Sequence, residues 1–153
     1  MKEFPNRVTA VQLEDITAGE LASGMEELSR MGVTLADVKT ALRGIDKTAM
    51  KREALSRIKV KVWEEGDLVN GIDLRQHPNP TQRERIVKNL DAGGNIYFVF
   101  IDGKLVYNQW HIRSEGLAPI PNARLQEVVD DHVLDIAQGL FNAAVRREML
   151  KKL

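Results

Sequence analysis

Asp131, His132 and Asp135 come closest of any residues in this chain to a spacing that does chemistry, because carboxylates and an imidazole are common ligands of a divalent metal. Asp131 and Asp135 stand four apart and share one face of a helix, as a chelating pair requires. His132 points about 100° away, onto the apolar side, and no second cluster completes a ligand set. The three read as a partly buried histidine beside a solvated acidic face. A second group is His77 with Arg75, Arg83 and Arg85, and with His111 further along. A nuclease or phosphate site needs a base, a cation and metal-binding carboxylates to converge, and nothing in this spacing compels them to. A third is the basic run Lys47, Lys51, Arg52, Arg57, Lys59 and Lys61, a candidate contact surface for nucleic acid or a host protein. Several of these fall where a helix or strand is expected to face water. Trp63, Tyr107 and Trp110 are either core residues or anchors of an interface. The sequence therefore names no catalytic and no metal-binding residue, and it implies no cofactor and no small-molecule substrate.

Composition narrows the field further. Lys plus Arg equals Asp plus Glu at 22 each, so the formal net charge of the 153 residues is zero. That balance argues against a generic polyanion binder, whose domain is usually basic, and leaves little charge repulsion against self-association. With no cysteine, disulfides, zinc–thiolate sites and thiol nucleophiles are excluded. No apolar run approaches membrane-spanning length, and Met1-Lys2-Glu3-Phe4-Pro5 lacks the apolar core of a signal peptide. The reading is a single domain, residues 1–153, working in the cytoplasm or in a particle assembled there.

The elements that position these groups follow from period and punctuation. Residues 1–16 read as an extended arm or short strand. Thr17 with Glu20 has capping-box spacing for a helix carrying Leu21, Met25 and Leu28 and stopping at Gly32. Thr34 with Asp37 caps another, with Leu35, Val38, Leu42, Ile45 and Ala49 as its stripe and Gly44 as a point of kink or break. From Ile58 the period changes to two, with Ile58, Val60 and Val62 alternating against Lys59, Lys61 and Trp63, as in a strand with one buried face. Glu64 to Asp67 is a turn, and Leu68, Val69, Ile72 and Leu74 suggest a second short strand interrupted at Asn70-Gly71. His77-Pro78-Asn79-Pro80 breaks the pattern before a helix capped by Thr81 that runs to Leu90 and ends at Gly93-Gly94. Those glycines precede a strand rather than a helix, so they are no phosphate-cradling loop. Residues 95–112 carry two aromatic and β-branched runs around Asp102-Gly103, a strong signal for a hairpin with a type I′ turn. The last helix, capped by Asn122 and running to about Lys151, shows Leu125, Val128, Val129, His132, Val133, Ile136, Leu140 and Ala144 as its stripe. Its acidic residues come first and its basic ones last, complementing the macrodipole. The fold class is α+β: a small antiparallel sheet built on the central hairpin, packed against N-terminal helices and a long C-terminal helix.

This layout resembles the tail-completion and minor tail protein Z group of tailed bacteriophages. Ala54-Leu55-Ser56-Arg57-Ile58-Lys59-Val60-Lys61-Val62, passing from a basic helix end into a strand, is similar to that group. So is the proline-containing junction Leu117-Ala118-Pro119-Ile120-Pro121 before the last helix. The Pro-x-Asp-Thr-Gly-type turn of related tail components is missing before the first strand. The resemblance implies a non-enzymatic virion component, assembled in the host cytoplasm. It would form a homo-oligomeric ring at the head–tail junction or tail end, with itself and other virion structural proteins as partners. The alternative is a small regulatory module contacting a host protein or nucleic acid through the basic 47–61 segment.

Overall fold

The computed structural model of the chain describes residues 1–4, 9–17, 29–111 and 123–151, apart from the side chains of Leu35, Trp110 and His111. In chain order the elements are strand β1 (Lys2–Phe4), a 3-10 turn (Leu13–Asp15), and helices α1 (Leu35–Arg43) and α2 (Lys47–Ser56). Strand β2 (Ile58–Val62), the two-residue strands β3 (Leu68–Val69) and β4 (Ile72–Asp73), a second 3-10 turn (Leu74–Gln76) and α3 (Pro80–Asp91) follow. The hairpin β5 (Asn95–Ile101) and β6 (Lys104–His111) and the long α4 (Ala123–Leu150) complete the chain. This is the expected mixed α+β class, with a four-stranded antiparallel sheet in the order β1-β2-β5-β6 and four helices among the described residues. Within the chain, contacts gather into two compact units: Met1–Val8 with Arg57–Val129, and Thr9–Ser56 with Asp130–Leu153.

The first unit is organised by the hairpin. Asp102 and Gly103 both take positive φ, 50° and 83°, which is the type I′ geometry that matches strand twist. The pairing shifts between Val99↔Tyr107 and Phe100↔Leu105, leaving Val106 as the extra residue of a β-bulge. Residues paired directly across strands share a face. One face therefore carries Ile96, Phe98 and Phe100, which pack with Trp63, Val69, Leu74, Ile86 and Leu90 under α3. The other carries Tyr97 and Val99 beside Val60 and Val62, with Phe4 edge-on to Tyr97. Ile96 to Val99 are consequently buried at four successive positions, as in a strand covered on both sides.

That second covered face corrects the one-sided reading of β2. Trp63, expected on the polar side with Lys59 and Lys61, is 4% exposed, and its indole N–H donates to the Asp67 carbonyl at 3.0 Å. Of the two roles its type allowed, core and interface anchor, it takes the core position within this chain. The 68–74 stretch is also rearranged. Asn70 and Gly71 take φ of 52° and 76° and fold β3 onto β4 as a separate two-stranded ribbon, while Leu74 belongs to the 3-10 turn. In α3 the cap is Asn79 rather than Thr81. Its side-chain oxygen accepts from the Thr81 and Gln82 N–H groups, and Pro80 takes the first helical position, where no N–H is needed.

The second unit is built on the body of α4. Val133, Ala137, Phe141, Val145 and Met149 are its buried residues there, each one turn and a fraction beyond the last. Steps of four advance about 400°, so the seam winds round the helix, and Ile136, Leu140 and Ala144 of the expected stripe are only half-buried flanks. Residues 9–17 run along α4 in the same direction. Asp130 accepts from the Thr9 hydroxyl (2.7 Å) and the Ala10 N–H (3.1 Å), and eight residues on Gln138 accepts from the Thr17 N–H (3.0 Å). Between these ties the side chains of Val11 and Ile16 are buried. Thr34 and Asp37 form the expected capping box of α1. The chain breaks at Gly44, so α1 and α2 are separate helices. The end of the preceding helix is seen at Ser29 and Arg30, with Gly32 at φ 87°. The rest of that helix, the Pro119 junction and the Asn122 cap lie outside the described residues.

Candidate functional site

The polar residues singled out by type are mostly employed in holding the fold. His77 accepts the Asn79 N–H at Nδ1 (3.1 Å), and its carbonyl accepts from Arg83 (3.3 Å), so both shape the entry to α3. Arg75 spans two carboxylates, Glu65 at 2.6 Å and Asp91 at 3.1 Å, tying the ribbon to the end of α3. Arg85 is exposed on α3, and the His111 side chain is outside the described residues. These groups do not converge on a point. On α4, Asp131 and Asp135 are exposed and His132 is half-buried. Among the described residues no three His, Asp or Glu side chains are placed to hold a metal ion.

The basic 47–61 segment is likewise divided among local tasks. The Lys47 ammonium donates to the carbonyls of Ile16 (2.6 Å) and Leu13 (3.4 Å) and lies 5.2 Å from the centre of the Phe141 ring. It closes the 3-10 turn of residues 13–15. Arg57 grips Asp102 in the hairpin turn, Lys59 meets Glu3 at 3.3 Å across the strands, and Lys61 lies 5.1 Å over the Phe100 ring. Of the contact surface read from sequence, Lys51 and Arg52 remain, on α2.

Three carboxylates are held below their ordinary range by these contacts: Glu65 by Arg75, Asp102 by Arg57, and Asp67 by the Glu64 N–H and then the chain's ammonium terminus. Arg75 and Arg124 are raised in return, the latter by Glu127 and by the Tyr107 hydroxyl. Folding favours the ionised carboxylates. The stability they contribute is thus complete above their ordinary values, 4.5 for Glu and 3.8 for Asp, and is lost as pH falls through the lowered folded values. Thermal melts across this acid range should show that loss, with a shallower acid slope in Asp102→Asn. An identical slope in the variant would remove Asp102 from the account.

What the fold exposes is apolar and backbone surface. Among the described residues, strand β6 is an edge of the sheet. From Leu105 to Trp110 it carries no charge and no proline, and Leu105 and Val106 are 40% and 42% exposed. Natural sheets usually blunt such edges with charge, proline or a bulge; here, among the described residues, only Lys104 and the bulge at Val106 do so, both near the turn. Tyr107 is half-buried on this strand, its hydroxyl shared between Gln109 and Arg124. The Trp110 side chain is outside the described residues. The uncharged run was visible in the sequence; its position at an edge was not. No family model, curated protein or solved structure matches this chain. Among the described residues no helix is long and apolar enough to cross a membrane.

Proposed function

We propose that this is a non-enzymatic structural assembly protein, a tail-completion or neck component of a tailed bacteriophage that forms a homo-oligomeric ring at the head–tail junction. The observation that carries self-assembly is the long, uncharged, partly apolar edge of β6, whose outer backbone groups can take a further strand. The phage assignment rests on the layout of basic helix, strand, hairpin, proline junction and long final helix. The virion location and the virion-protein partners follow from that assignment. The nucleic-acid alternative loses its main support because Lys47, Arg57, Lys59 and Lys61 all meet groups of their own chain.

Light scattering and negative-stain microscopy of the purified chain test this reading. The expected result is a discrete closed oligomer. Val106→Lys, which puts a charge on the exposed edge, should reduce it to smaller species without altering the melting temperature. A chain that stays monomeric at every concentration would overturn the reading.

A further inference from the structure

We infer that the exposed face of α4 centred on Gly139 pairs with the same face of a second copy, antiparallel, about a two-fold axis at that residue. The inference rests on the self-assembly reading above and names one of its contact surfaces.

Three observations converge on this face. Gly139 is exposed in mid-helix, where glycine is less favourable than any residue but proline. A Cβ added there would meet nothing within 4 Å, so among the described residues no packing or backbone demand calls for glycine. Beside it lies a groove of about 460 Å³ lined by Gly139, Asn142, Ala143, Arg146, Arg147 and Leu150. Gly139 and Ala143, four apart, form a notch that lets a second helix approach closely.

The third observation is charge, and it selects the partner. Along one flank of this face Asp131 and Asp135 come before Gly139 and Arg146 after it, all three exposed, while the exposed Arg147 falls on the other flank. Two such helices in parallel would set like charges together. In the antiparallel arrangement Asp135 stands about 6 Å and Asp131 about 12 Å on one side of the axis, and the second copy's Arg146 stands about 10.5 Å along the same side. All three project to the same flank of the contact, so each guanidinium comes between two carboxylates, twice by symmetry. The sequence +7 from the axis therefore answers −4 and −8 across it, a match that only a copy of this face is guaranteed to supply.

Sedimentation velocity over a wide concentration range reads the pair. Arg146→Glu should raise its Kd by about ten- to a hundredfold, and Asp131→Arg with Asp135→Arg should do the same. Combining all three substitutions should restore association, which a general loss of folding could not do; circular dichroism melts should be unchanged throughout. Because the chain has no cysteine, Gly139→Cys gives a second measurement. A short bifunctional thiol reagent should couple two copies through position 139 and not through Thr48→Cys, on the exposed surface of α2. If the wild type associates and every charge variant associates equally, this pairing is wrong while the assembly reading stands. Equal coupling at positions 139 and 48 also overturns it. A wild type that remains monomeric overturns both together.

Discussion

Trp63→Ala should cost about 3–5 kcal/mol of stability, read as a lower urea midpoint, while leaving self-association of the folded fraction intact. The indole is 4% exposed among Leu74, Ile86, Ile96 and Phe98, and it joins the end of β2 to the ribbon and to α3. Truncation removes that apolar area and leaves a cavity the surrounding strands cannot collapse to fill. It also takes away the donor that meets the Asp67 carbonyl. The turn from Glu64 to Asp67 should loosen with it, because the same aspartate also receives the Glu64 N–H at 2.7 Å. A variant that melts like the wild type but no longer assembles would make Trp63 an interface residue after all.

Phe141→Ala is the matching experiment in the other unit, with a similar expected loss of about 3–5 kcal/mol. The ring is 1% exposed and is the largest fully buried side chain among the described residues. Its loss also removes the face against which the Lys47 ammonium rests while that group holds the Ile16 and Leu13 carbonyls. Hydrogen exchange should therefore rise at the amides of Asp15 and Ile16, which close the 3-10 turn, as well as along α4. A loss below about 1 kcal/mol would mean that the site collapses around the missing ring, and Phe141 would then not be the side chain that anchors this unit.

The parts of this fold that are legible in sequence are those fixed by neighbours in the chain. Asp102-Gly103 can satisfy two consecutive positive φ angles, Thr34 and Asp37 satisfy each other's backbone, and Gly32 ends a helix. Each of these is decided within four residues. The parts that are not legible are decided by distant partners. Trp63 alternates with two lysines, so its neighbours leave it open between core and interface anchor; α3 and the ribbon, placed by later sequence, cover it. Asn70-Gly71 reads as an interruption in one strand because nothing local shows that β3 and β4 form their own pair. The stripe of α4 departs from expectation because its seam advances in steps of four, bringing Ala137, Phe141, Val145 and Met149 inward in turn. The candidate surfaces were hidden for the same reason. A lysine such as Lys47 reads as a contact residue until the fold brings it two carbonyls.

Gly139 imposes arithmetic on any particle that uses its face. A residue that meets its own copy marks a two-fold axis, and a two-fold contact is finished after two chains. It cannot propagate into a circle unless a different, head-to-tail surface such as the β6 edge supplies the circumference. A closed assembly in which every such face is covered then contains an even number of chains, either two stacked circles or one circle of dimers. Native mass spectrometry would show this directly as a ladder of even multiples of 17.2 kDa with the odd rungs missing.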